Sequence, residues 1–173
     1  MEFKLHVLQN DTGEKIPVEM CPMSIADAES TIHEPLWQTD WTSDYISDER
    51  FEKYAMKTAS GELIALAAYE ILPEYIVVRI AYMESAPESN PTMTDTKKHN
   101  GIGRAIIAYG IKLSVDYGLD GAVMFEGKTT ELTKYYVREF DALVLPYGYG
   151  TDAPPRLLID GEASKKIIVD YLE

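Results

Sequence analysis

Apolar positions change period several times along the chain, and each change marks an element. Glu2–Leu8 alternates weakly and reads as a first strand. Asn10-Asp11-Thr12-Gly13 is a turn, and Lys15–Met20 is a hairpin partner or an extended approach to a helix. Ser24 is suited to cap a helix over Ile25–Ile32, which Pro35 stops, and Ser47 or Asp48 starts a second short helix. Tyr54–Ala59, Glu62–Ile71 and Tyr75–Tyr82 are rich in β-branched and aromatic residues, and Ser60-Gly61 and Leu72-Pro73-Glu74 join them. That pattern predicts an antiparallel meander. Ile102, Ile106, Tyr109 and Leu113 then recur at helical spacing in a helix running to about Tyr117, with Gly118 as its C′ glycine. A strand over Ala122–Phe125, a helix from about Thr130 to Phe140 and an apolar run at Ala142–Leu145 follow. After a loop through Pro146–Pro155 come a strand, Arg156–Ile159, and a helix, Glu162–Leu172.

The stretch with the most chemistry lies between the meander and the long helix: Lys97-Lys98-His99-Asn100-Gly101-Ile102-Gly103-Arg104-Ala105. A basic turn passes through two glycines straight into a helix, which is the layout of an anion site. Glycines admit a phosphate close to the backbone, and the first amides of a helix have no intrahelical acceptor. In a chain with 29 acidic and 16 basic residues, Lys97, Lys98 and Arg104 concentrate positive charge there. The alternative is a loop-to-helix junction with a solvated basic tip. A P-loop requires Gly-Lys-Ser/Thr after four residues, and no such run occurs. A dinucleotide fingerprint requires a third glycine where Ile106 stands.

Lys98-His99-Asn100-Gly101-Ile102-Gly103 resembles the Arg/Gln-x-x-Gly-x-Gly/Ala pyrophosphate loop of the GNAT N-acetyltransferase superfamily, with Lys98 in place of Arg or Gln. The order meander, glycine loop, helix, strand, helix, strand over roughly residues 53–145 is similar to that of the family as well. The resemblance implies an α/β (α+β) fold, a mixed and mostly antiparallel central sheet flanked by helices on both faces. It implies acetyl-CoA as co-substrate, held by Lys98, His99, Asn100, Gly101, Ile102, Gly103 and Arg104, and direct acetyl transfer to a primary amine. It also implies that backbone near Tyr82, Met83, Glu84 and Ser85, on a strand splayed by a bulge, contacts the pantetheine and the thioester oxygen.

The same resemblance assigns the remaining roles. A tyrosine early in the helix after the next strand protonates the departing thiolate, and Tyr135-Tyr136 is the matching pair. Tyr136 is the preferred acid, although Phe140 and Asp141 then stand where the family has Gly and Phe. Glu84 is the first candidate for the base that takes the amine proton and Glu126 the second; ordered water alone serves in some members. A catalytically silent GNAT-fold module that holds CoA without turnover is the rival reading, and a homodimer is compatible with the resemblance.

Charge bears on the acceptor. Residues 27–52 hold eight acids against one base, and Trp37, Trp41 and Tyr45 recur inside that segment at four-residue intervals. Aromatic faces with carboxylates suit a cationic amine, so Trp37, Trp41 and Asp44 are candidate acceptor contacts, with Tyr147 and Tyr149 on a facing loop. The alternative is that the tryptophans anchor a core and the acids are its solvated back face. A net charge of −13 argues against binding DNA or RNA. With 173 residues and 46% hydrophobic content, the sequence suits one globular domain. It has no run of about eighteen apolar residues and no export signal. It therefore predicts a soluble, cytoplasmic protein without a membrane partner. Cys21 is the only cysteine, and His6, His33 and His99 have no metal-ligand spacing, so no metal is expected.

Overall fold

The structure, a computed structural model, describes residues 1–145 and 154–173. β1 (His6–Gln9) and β2 (Lys15–Pro22) form a hairpin, α1 (Ile25–Ser30) follows, and β3 (Phe51–Thr58), β4 (Leu63–Leu72) and β5 (Val77–Ser85) make the meander. β6 (His99–Asn100) leads into α2 (Ile102–Asp116). Then come β7 (Val123–Glu126), α3 (Thr130–Phe140), β8 (Leu143–Val144), β9 (Arg156–Ile159) and α4 (Gly161–Ile168). Among the described residues nine strands join one sheet in the order β6-β1-β2-β3-β4-β5-β7-β9-β8. Its pairs are antiparallel except β5 with β7. A parallel pair needs a crossover, and α2 supplies it.

The sheet separates two cores, and β4 shows why. Ala65, Ala67 and Tyr69 face the core under α2, whereas Leu66 and Ala68 face a second core with Trp41, Ile46 and Phe51. α2 lies close on the first face because Gly110 has no side chain. A Cβ there would come within 3.1 Å of the Tyr69 ring and 3.3 Å of Val123. The Tyr69 hydroxyl donates to the Ile106 carbonyl at 2.7 Å, locking helix to sheet.

Two features of β5 position the site. Ala68 pairs with Tyr82 but Tyr69 with Ile80, so Ala81 is an extra residue, a β-bulge. On the other side, β5 and β7 pair only at Val78–Val123 and Arg79–Met124. Beyond Arg79 the two strands part.

Three expectations are corrected. No second helix follows α1; residues 40–50 are turns in which Asp40 accepts from the Thr42 amide at 2.8 Å and Asp48 from the Arg50 amide at 2.9 Å. Short carboxylates that bind backbone two residues on favour turns over helix. The first strand begins at His6, while Phe3 forms a lone bridge with Leu172. The last helix ends at Ile168 and tightens into a 3-10 turn, Val169–Tyr171, which packs the chain end beside β1.

Trp41 is 1% exposed, so its ring fills the second core instead of walling a cleft. Trp41→Ala should destabilise the protein by about 3–5 kcal/mol in chemical denaturation, the usual cost of emptying a large aromatic site. A loss below about 1 kcal/mol would contradict this placement.

Candidate active site

The glycine turn is built as an amide cradle. Gly101 takes a left-handed conformation, φ 78°, that favours glycine, and no side chain caps α2. The first intrahelical bond runs from the Ala105 amide to the Gly101 carbonyl, 3.0 Å. The amides of Ile102, Gly103 and Arg104 therefore precede the helical ladder and have no acceptor among the described residues. Nothing lies within 4 Å of a Cβ built on Gly101 or Gly103, so the cradle is open. The turn is held on both sides. The Lys98 amide donates to the Glu88 carbonyl at 2.9 Å, and the Asn10 amide to the Lys98 carbonyl at 3.0 Å. Asn100 bonds Asn10 through their side chains. This donor set, three free amides at a helix N-terminus, suits a pyrophosphate.

The side chains of the turn contribute differently from expectation. Lys98 reaches Glu62 at 2.5 Å, which raises its pKa, and Arg104 reaches Asp170 at 2.7 Å. Both cations already hold carboxylates. His99 is 3% exposed; burial lowers its pKa and its Nδ1 has no partner, so it is a neutral core residue and its side chain is no phosphate ligand. Its amide donates to the Ser89 hydroxyl at 3.0 Å. Ile102 is a buried anchor of α2. Sequence reasoning missed Lys15 and His6, which line a cavity of about 500 Å³ together with Gly101, Arg104 and Asp170.

The parting of β5 from β7 opens beside this turn. Because α2 crosses between two parallel strands, its N-terminus returns toward the C-terminal end of β5. The Val78 amide donates to the Ala122 carbonyl across the β5–β7 pair, and that pairing ends at Arg79–Met124. Tyr82, Met83, Glu84 and Ser85 all lie in the stretch of β5 that pairs with β4 and not with β7. Met83 packs on the α2-side core, while Tyr82 lies on the other face, 5.6 Å from the Tyr45 ring and 5.7 Å from Phe51.

β7 carries consecutive residues to opposite faces of the parting. Phe125 faces the α2 side, where Tyr136 packs edge-on at 4.7 Å between ring centroids. Burial first, and neighbouring Tyr135 second, push the Tyr136 phenol up to about 12, so it keeps its proton at neutral pH. Tyr135 is 42% exposed and packs edge-on against Tyr136 and Phe140. Glu126, next after Phe125, shares the opposite face with Met124 and is exposed, its backbone paired with Arg156.

The first-choice base, Glu84, is committed elsewhere. Its carboxylate accepts from the amides of Gln38 at 2.7 Å and Thr39 at 3.2 Å and from the Trp41 indole at 3.0 Å. It ties the 37–41 segment to β5. Trp37 is half-buried over the start of β4, in a cavity of about 480 Å³ that Glu29, Glu34 and Glu88 also line. Asp44 is exposed. Tyr147 and Tyr149 lie outside the described residues.

The architecture is the GNAT fold. Among solved structures, AAC(6')-Ib in complex with paromomycin and acetyl-CoA superposes with a TM-score of 0.58 at 12% identity, covering 86% of this chain and 96% of that one. A SpeG spermidine N-acetyltransferase variant from Vibrio cholerae gives 0.55 at 13% identity, covering 82% and 92%. A chimera of Vibrio cholerae SpeG and hSSAT gives 0.54 at 13% identity, covering 87% and 97%. No protein-family model matches the sequence, and no curated protein matches it. The described helices include none long and apolar enough to cross a membrane.

Gly103→Asp adds a side chain and a negative charge inside the cradle. It should weaken acetyl-CoA binding at least about tenfold, the scale of one charge-assisted contact. Unchanged affinity by calorimetry would remove the cradle from the site.

Proposed function

We propose that this protein is an N-acetyltransferase that moves the acetyl group of acetyl-CoA directly to a primary amine of a small acceptor. The observation that carries the reading is the parting of β5 and β7 beside an uncapped, glycine-opened helix N-terminus. The amides of Ile102, Gly103 and Arg104 would take the pyrophosphate. The free backbone of β5 past Ile80 would take the pantetheine amides and the thioester oxygen, where negative charge develops. Likeness to acetyltransferases of solved structure supports the reading at the level of fold.

The faces of β7 divide the proton work. Glu126, on the face away from α2, takes a proton from the acceptor ammonium, directly or through water, and frees the lone pair that attacks the thioester carbon. As the carbon–sulfur bond breaks, Tyr136, on the α2 face, gives its proton to the leaving thiolate, and the second proton lost by the acylated nitrogen passes through solvent to restore the phenol. With Glu84 holding three donors, Glu126 becomes the preferred base. A cationic acceptor has less support than the sequence suggested. Trp41 is buried, and the acidic cavity around Trp37 lies over the start of β4, just past the C-terminal end of β5.

Thiol release from acetyl-CoA over a panel of amines tests the reading. Turnover should require an amine, and Tyr136→Phe should lower it about 10–100-fold with acetyl-CoA affinity nearly unchanged. Damage by Tyr135→Phe instead would shift the acid by one residue. Acetyl-CoA binding without thiol release from any amine would favour the silent binding module.

A further inference from the structure

On the face of the sheet away from α2, a cavity of about 900 Å³ runs up to the point where β5 and β7 separate. Val77, Met124, Leu158 and Leu72 give it apolar walls, and its polar lining includes Arg79, Arg156 and Glu70. Arg79 and Met124 are the last paired residues of β5 and β7, so this cavity adjoins the gap where the thioester would lie.

Its charge is unusual for this chain. The protein has five arginines and a net charge of −13, yet Arg79 and Arg156 line this one cavity and Arg50 stands beside it. Glu70 is shared, accepting from the Arg79 Nε at 3.0 Å and lying 3.8 Å from the Arg50 Nε. Beyond its Nε the Arg79 guanidinium lies 5.9 Å from the Phe51 ring centroid and makes no further hydrogen bond among the described residues, and the Arg156 guanidinium makes none. A guanidinium presents paired donors that match a carboxylate. Arg156 also stands directly opposite Glu126 across the β7–β9 pair, which puts a cation and a carboxylate side by side.

We propose that the acceptor is an amine that also bears a carboxylate and an apolar body, as in an apolar amino acid. Arg156 and Arg79 take the carboxylate, the apolar wall takes the side chain, and the ammonium faces Glu126. This rests on the acetyl-transfer reading for its kinetics, but the cavity can also be tested without turnover.

The experiment compares L-leucine with L-leucinamide as acceptors in the thiol-release assay, for the wild type, Arg156→Gln and Arg156→Lys. Calorimetry alongside compares N-acetyl-L-leucine with N-acetyl-L-leucinamide in the presence of CoA. The proposal expects at least about a tenfold preference for leucine, the scale of one charge-assisted hydrogen bond. Arg156→Gln should erase that preference through KM more than kcat, and Arg156→Lys should restore part of it. Equal or better use of leucinamide or of a diamine, or a preference untouched by Arg156→Gln, overturns the proposal and leaves acetyl transfer standing. Should no acceptor release thiol, acetyl transfer fails, and calorimetry decides the cavity alone. Selective binding of the N-acetyl acid upholds it, and equal binding of acid and amide overturns it.

Discussion

Everything specific about this molecule depends on β5 losing its partner on one side. A strand inside a sheet satisfies its amides and carbonyls on both flanks, and leaving one flank bare is costly unless something else binds it. β5 keeps β4 along its length but holds β7 for only two residue pairs. The bulge at Ala81 lies immediately past that point and turns the later residues out of phase with the earlier ones. α2 adds a second set of unpaired donors at its uncapped N-terminus. Two elements thus leave backbone groups unsatisfied at one end of the sheet.

The two faces of the sheet then divide the work. The α2 face offers the amide cradle and the Tyr136 phenol, whose proton burial retains. The other face offers Glu126 and the arginine-bearing cavity. In the proposed reaction a leaving thiolate and an incoming amine need opposite proton chemistry, and a sheet with a gap would keep their partners apart while letting the reactants meet. The ion pairs Lys98–Glu62 and Arg104–Asp170 hold the cradle's surroundings in place, so the amides carry the specific contact.

Much of the fold was legible because it is written in local patterns. The Thr130–Phe140 helix and the Arg156–Ile159 strand fall where hydrophobic period and turn residues put them, and Ser24 caps α1 through a capping box. The glycine turn was legible because φ above zero and an uncapped helix start leave a mark in residue type. What failed depends on distant partners. Lys98 and Arg104 read as free cations because Glu62 and Asp170 are 36 and 66 residues away. Trp41 and Glu84 each looked functional alone, yet they bond each other. Alternating aromatic and acidic residues look the same whether the rings face a cleft or a core. Ala81 gives no hint of a bulge. One signal was available and unused: a hairpin centred on Pro73–Tyr75 brings Glu70 opposite Arg79, which marks a charged pair on the cavity face.

The central claim is that unpaired backbone at the end of β5 and at the start of α2 forms one binding site. Amide-resolved NMR during titration with CoA tests it most directly. The largest shifts should fall on Gly101–Arg104 and on Ile80–Ser85 together, with saturation at one common concentration. Shifts confined to other parts of the sheet, or none at saturating CoA, would contradict the account.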